Sequence, residues 1–482
     1  MADPITVGLL ALGGGFVAGR LLISQVLRSA TKIIMTDPYA ENLAEFYSAA
    51  RRTGIQDIIE TNLRAEEGKL IRRPLGSPRQ FVNMHGIMFN TAHLSRQPTS
   101  VEIPIGTRTI IGQYAAKPLI VETPLLVSGM AYGLALSAEF KYALALGSRK
   151  AGTATNTGEG PYLPKERELA GKLIIQYPRA PWNRSPEILK RADAVEIQIG
   201  QGASASTAHH VLPSALGKDL RKRLGLLPGE SSVIYSHMPE LGHWGNLKVL
   251  VDYLRELTKG VPIGVKFAFS HYLEDDIDIC LDAGVDFLAL EGAEAATVGA
   301  PPILEDDFGL PTLIGLCRAV EHLKAKDPEG RVSLIVGGGF TSPGQCLKAL
   351  ALGADAIYLG TMALFAASHT QVLKALPFEP PTQVALYRGK ASHKYNWRVG
   401  AEALRKYLDS CTAELREGVR ALGKTAISEV NRDDLVALDE QTSQITGLPL
   451  AYGKGKTWAF AAPGGKWNSQ RSRPAPKSNS ST

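Results

Sequence analysis

The chain has 482 residues, of which 44% are hydrophobic and 21% charged, with 48 Gly, 29 Pro and a formal net charge of +6. This balance excludes a disordered, collagenous or polytopic membrane protein and describes a core-forming chain too long for one small domain. The 4 cysteines, Cys280, Cys317, Cys346 and Cys411, have no CxxC spacing, which argues against a zinc site and for a reducing compartment.

In chain order, residues 5–27 (ITVGLLALGGGFVAGRLLISQVL) form the one membrane candidate. The stretch is near the ~20 residues that a bilayer crossing needs, with Arg20 as its cost. Arg28 and Lys32 follow it and would leave the body on the cytoplasmic side. Residues 1–32 are therefore expected to tether a cytoplasmic protein to the membrane by a transmembrane helix. Residues 33–117 mix short helical patterns with turn clusters such as RRPLGSPRQ and read as a lead-in that packs on the main domain.

From Pro118 the texture changes to alternating strand and helix. Short apolar runs recur at 125–129, 152–156, 172–176, 194–200, 262–267, 287–292, 333–338 and 356–360. Between two of them Leu247, Leu250, Val251, Leu254 and Leu257 share one helical face, and Gly260 stops it. These units over 118–370 predict an α/β fold, a (β/α)8 TIM barrel with an N-terminal extension and a C-terminal helical segment. The run VIYS at 233–236 is an extra strand inside a long excursion between the fourth and fifth strands. Over 371–452 the pattern is helical, with Leu404, Leu408, Cys411, Leu415, Val419 and Leu422 at helical spacing before Gly423. The tail, 453–482, contains Lys454, Lys456, Lys466, Arg471, Arg473 and Lys477 and no acid, which accounts for the whole net charge. It reads as a solvated extension, not as a nucleic-acid arm.

In barrels the chemistry lies where strands end. One strand ends in Gly337, Gly338 and Gly339, with Ser342 and Pro343 opening the helix that follows; the next ends in Gly360 and Thr361. Such glycines let backbone N–H groups approach an anion, and a helix N-terminus favours phosphate. Two short Gly-ended loops suit a monophosphate, and no GxGxxG follows the first strand, which points to FMN over FAD or NAD. Lys266 ends the strand PIGVKF, where a buried ammonium needs an anion, and the reduced flavin is the expected one. Gln176, Glu196, Gln198 and Gln201 end or follow strands, and amides suit an isoalloxazine edge or a carboxylate substrate. Glu159 and Glu291 also stand at strand ends; Glu159 is expected on substrate, and Glu291 in catalysis with Lys266 and Gln201. His209, His210, His237 and His243 sit on the excursion, where His209 or His210 would act as an acid/base on substrate. No metal site is expected.

The segments PLLVSGMAYGLALS, ATNTGEG, LIIQYPRAPWNRS, AVEIQIGQGASAS, FLALEGAEAATVGAP and VGGGFTSPGQCLKALALGADAIYLGT resemble, over roughly residues 124–367, the FMN-binding synthase domain of glutamate synthases, and more closely its short stand-alone relatives. The resemblance implies that Ser128, Gly129, Met130 and Ala131 lie under the flavin, that Gln176 and Gln198 contact it, and that Arg179 and Gln201 face substrate. Two family lysines are replaced by Gln198 and Ser204, and the family's GGTG turn by Ala295, Ala296, Thr297, Val298 and Gly299. Cysteines that would hold an iron–sulfur cluster are missing between Cys346 and Cys411. The expected function is an FMN-dependent oxidoreductase acting on an amino or imino acid or related small carboxylate by hydride transfer. The alternatives are a flavin-dependent amine or methylamine transferase acting on glutamate and a membrane-tethered flavin-binding subunit. A homo-oligomer is expected, with NAD(P)H or a protein as electron donor.

Overall fold

The computed structural model describes residues 4–38, 42, 44–204, 206–242, 246–378 and 380–452, the side chains of 4–14, 16, 203, 239, 246 and 380 excepted. His243 and the basic tail lie outside the described residues. The chain forms two units, Met1–Pro74 with Val298–Ile303, and Leu75–Thr297 with Leu304–Thr482.

In the first unit α1 (Pro4–Thr36), α2 (Ala44–Thr53) and α3 (Ile55–Glu67) follow one another. Asn42 closes α1: its Nδ2 donates to the carbonyls of Ile33 and Ile34 at 2.9 and 2.8 Å, which the last turn leaves open. Arg73 pairs with the buried Glu60 at 2.6 Å. The expected transmembrane helix is not supported. Among the described residues no helix is long and apolar enough to cross a membrane. Arg20, Arg28 and Lys32 interrupt the described part of α1, although its Leu21, Leu22, Ile23, Val26 and Leu27 are all exposed.

The second unit is built on eight parallel strands: β1 (Leu125–Val127), β2 (Ala154–Asn156), β3 (Lys172–Tyr177), β4 (Ala194–Gln198), β5 (Ile263–Ala268), β6 (Phe287–Glu291), β7 (Ser333–Gly337) and β8 (Ala356–Leu359). Their hydrogen-bonded order, β1-β8-β7-β6-β5-β4-β3-β2, curls round a single interior and makes a near-closed (β/α)8 barrel. Six of the eight strands fall within the apolar runs of the sequence, and β3 and β5 each run one residue past theirs.

Alternation along each strand sends every second residue inward. Leu126, Ala154, Ile174, Ala194, Phe287, Ala289, Ile335 and Ala356 form one buried cluster that fills the barrel. Gly264 belongs to the same layer, where a Cβ would lie 2.4 Å from the Phe287 ring. A recurring Asp sets the register of strand pairs from below. Asp193, Asp286 and Asp355, each just before an even-numbered strand, accept the N–H of Leu173, Ile263 and Leu334 at 2.8, 2.8 and 2.7 Å.

The lead-in boundary expected at 117/118 falls inside a hairpin. Thr109–Ile111 pairs antiparallel with Leu119–Val121, and Ile111, Leu119 and Val121 join the barrel-interior cluster. An apolar hairpin at the start of a barrel looks, in sequence, like two more short strands.

Outside the strands run α4 (Ala138–Lys150), α5 (Thr312–Lys326), α6 (Pro343–Leu352), α7 (Thr361–Ser368) and α8 (Trp397–Ala421). Ser137 and Ser342 cap α4 and α6 by accepting from Phe140 and Gln345 N–H groups at 3.2 and 3.3 Å. In α8 the expected apolar face is buried, and Leu404 meets Gly147 of α4, where a Cβ would be 2.9 Å from a Leu404 methyl. The excursion between β4 and β5 holds an antiparallel ribbon, His209–Val211 against Ser232–Ile234.

Candidate active site

The inward positions one step beyond the apolar layer are polar: Asn156, Gln176, Glu196, Lys266, Glu291 and Tyr358, all buried. Strand pairing sets Gln176 beside Glu196, Gln198 beside Lys266, and Gly337 between Glu291 and Tyr358. They form two linked groups.

The first group is centred on Glu196. Its Oε1 accepts from Gln176 Nε2 at 2.7 Å and Asn156 Nδ2 at 2.9 Å, and its Oε2 from the Tyr358 hydroxyl at 2.6 Å. Burial and this carboxylate push the Tyr358 phenol well above its ordinary pKa, so Tyr358 stays a donor. Glu196 is a hub that orients the two amides and the phenol.

The second group is the ion pair of Lys266 Nζ with Glu291 Oε1 at 2.6 Å, both side chains buried. The ammonium lies 5.3 Å over the Tyr358 ring. Burial alone lowers the lysine pKa, but Glu291, Glu196 and Glu159 outweigh it and hold it above the ordinary value. This corrects one expectation: Lys266 already has an anion, supplied by β6, and does not depend on a flavin for one. Glu291 Oε2 also accepts the Gly202 N–H at 3.2 Å, which fixes the turn after β4. In that turn Gln201 donates to Thr297 at 2.9 Å.

Glu159 is held by backbone contact. Gly158 has φ +68, and a Cβ there would lie 2.6 Å from Met130 C and Ala131 N; at Gly160 it would lie 2.4 Å from Tyr132 O. The TGEG loop thus lies directly against residues 130–132, which is why glycines bracket the glutamate. Trp182 Nε1 donates to the Glu159 carbonyl at 2.6 Å, and Arg179 stands 3.7 Å from its carboxylate. Burial raises the Glu159 pKa despite Arg179 and Lys266 nearby.

Among the other expected residues, Ser128 is buried and bonded through its N–H to Leu359 at 3.0 Å, while Met130 and Ala131 are half-buried. At Gly129 a Cβ would meet Asn156 Oδ1 and Gln176 Nε2 at 2.9 Å. Gly338 and Gly339 have φ +115 and +72. Gly360 precedes α7, which opens at Thr361 with no side-chain cap, and a Cβ at Gly360 would meet nothing within 4 Å. The histidines are placed differently from the strand-end residues. His209 and His210 lie on the ribbon of the excursion, and His210 is exposed.

Sequence reasoning missed several residues. Asn156 and Tyr358 could have been found by counting inward positions in twos along β2 and β8. Glu294 accepts from the Thr312 N–H and hydroxyl at 2.8 and 2.7 Å, capping α5 beside Gly339. Lys141, on α4, pairs with Glu166 at 2.9 Å and donates to the carbonyls of Asn156 and Thr157 at 2.8 and 3.2 Å. No spacing rule predicts that link.

Fold and site together define an α/β barrel with a buried polar cluster at the carboxyl ends of its strands, the arrangement of barrel enzymes. Residues 80–425 match the family model described as the conserved region in glutamate synthase. The chain is 28% identical over 442 residues to a glutamate synthase large subunit-like protein of Rhizobium meliloti (strain 1021), covering 86% of this chain and 94% of that one. It is 30% identical over 334 residues to an archaeal glutamate synthase [NADPH] of Archaeoglobus fulgidus, covering 68% and 65%. A solved mandelate oxidase variant with a monooxide FMN adduct superposes with a TM-score of 0.46 at 16% identity, over 72% of this chain and 87% of that one. The chain belongs to the glutamate synthase family, and the match extends on both sides of the 124–367 stretch that carries the resemblance.

Proposed function

We propose that the protein is an FMN-dependent oxidoreductase acting on an amino- or imino-bearing small molecule at the mouth of the barrel. The observation that carries this reading is Gln176. Its Nε2 is committed to Glu196, and its buried Oε1 is an acceptor with no hydrogen-bond partner. The Gln176 amide, with its Nε2 against the side-chain-free Gly129 and its Oε1 unmet, together with open space at Gly360, fits a flavin ring and its phosphate. In this reading Gly337, Gly338, Gly339, Gly360 and Thr361 would hold the phosphate. Ser128 to Ala131 would lie under the ring, and Gln176, Gln198 and Lys266 would meet its edge.

A bound FMN would supply hydride acceptance and donation at N5. The chain's own residues exclude water and fix charge. The Lys266–Glu291 pair and the Glu196 hub hold their donors in place before substrate arrives. Glu159, whose pKa burial raises, is a carboxyl suited to holding a proton at the mouth. The chromophore released from purified protein is expected to be FMN by mass spectrometry. FAD, or a colourless protein that cannot be reconstituted, overturns the reading.

We also propose that α1 tethers the protein to the cytoplasmic face of the membrane. Its exposed Leu21, Leu22, Ile23, Val26 and Leu27 and its basic Arg20, Arg28 and Lys32 support this. Deleting residues 1–32 should move the barrel from the membrane pellet to the supernatant. Full-length protein found wholly in the supernatant without detergent sinks the idea.

A further inference from the structure

Most side-chain donors around the barrel mouth are committed. Asn156, Gln176 and Tyr358 donate to Glu196, Gln201 donates to Thr297, and Lys266 is paired with Glu291. Arg179 Nη1 donates to the carbonyls of Ser206 and Ser236 at 2.5 and 3.3 Å. Acceptors, in contrast, are left over. Glu159 Oε1, which Arg179 Nη2 approaches only to 3.7 Å, and Gln198 Oε1 have no hydrogen-bond partner, and neither does the Ser204 hydroxyl, which can accept or donate. The three side chains are 8%, 0% and 0% exposed. Buried acceptors without partners are costly, and they mark where a ligand donor belongs.

The formal charges point the same way. Glu159, Glu196 and Glu291 face Lys266 and Arg179, so the mouth carries more carboxylates than cations. Arg179 Nε is an open donor, enough for a single carboxylate oxygen. A ligand with two carboxylates would find neither the donors nor the charge it needs.

We propose that this mouth takes a primary ammonium group, received by Glu159, Gln198 and Ser204, on a substrate bearing at most one carboxylate. The inference rests on the proposed function in treating the mouth as the substrate side. Its test does not need the flavin reading to hold. Glu159 is faced by Arg179, Lys266 and Glu291, and its raised pKa means that ammonium binding should strengthen as pH rises and the carboxyl ionises.

The experiment melts the purified full-length protein with n-butylammonium chloride, sodium glutarate or sodium chloride at matched ionic strength. At roughly 20 mM, butylammonium should raise Tm by about 2 °C or more over the salt control, and glutarate should not. The shift should be larger at about pH 8 than at about pH 5.5. It should vanish in Glu159→Gln and in Ser204→Lys, which places a cation where the ammonium would sit; if either variant fails to fold, Gln198→Lys replaces it. Stabilisation by glutarate and not by butylammonium overturns the proposal. So does an amine shift that survives these variants unchanged. A colourless protein refractory to FMN would overturn the flavin reading alone, and the melting shifts would still decide this one.

Discussion

Replacing Lys266 with methionine is expected to lower the unfolding free energy of the barrel by about 3–5 kcal/mol, the usual cost of removing one partner of a buried pair. The side chain is 1% exposed and its ammonium lies 2.6 Å from Glu291. Methionine fills similar volume, so the loss comes from charge and not from a cavity. Glu291 would be left buried without its partner, with Glu196 and Glu159 in the same mouth and Arg179, beside Glu159, as the remaining cation named there. Adding Glu291→Gln to Lys266→Met should therefore restore most of the deficit, a coupling that a double-mutant cycle measures directly. The pH dependence follows from the raised lysine pKa. A group whose folded pKa is raised contributes below its unfolded value, and the contribution is lost as pH rises through the folded one. The lysine's share of the deficit should thus be constant across about pH 6–9 and shrink only in stronger alkali. Denaturant midpoints that coincide for wild type and Lys266→Met would show that the pair is not stabilising.

Gly158→Ala should also be strongly damaging, at roughly 2–5 kcal/mol. About 1–2 kcal/mol of this is the left-handed backbone that a Cβ disfavours. The rest, about 1–3 kcal/mol, is overpacking against backbone that cannot swing away. The Cβ would lie 2.6 Å from Met130 C and Ala131 N. Gly225 supplies the control: its φ is +72, but a Cβ there meets nothing within 4 Å. Gly225→Ala should show the backbone term alone. Because Gly158 adjoins Glu159 and abuts the 130–132 segment, its replacement should also loosen the mouth, which limited proteolysis would detect. Equal costs for the two variants would mean that the 130–132 backbone yields.

The strands were legible because each is a short apolar run closed by turn residues, and the parallel barrel follows from their alternation with helices. The Gly-ended loops after β7 and β8 were legible for the same reason, since glycine leaves a positional signature. Boundaries were less so. The hairpin at 109–121 carries ordinary β-patterning, and nothing local says that its Ile111, Leu119 and Val121 turn into the barrel. The N-terminal apolar stretch has the length of a span, yet Arg20 interrupts it, and Arg28 and Lys32 follow it within the same helix.

The site divides along the same line. The sequence by itself determined which residues stand at strand ends, since period 2 and the position of each run place Gln176, Glu196, Gln198, Lys266 and Glu291 there. It also determined that glycines flank Glu159. Only the tertiary structure decided who partners whom: that Glu196 is a hub for three donors, that Lys266 is paired with Glu291, and that Lys141 reaches from a helix to hold the end of β2. It also decided that His209 and His210 belong to an antiparallel ribbon within the excursion. The physical reason is that inward direction is fixed by local backbone geometry, whereas pairing across a barrel depends on strand register and closure, which no single segment encodes.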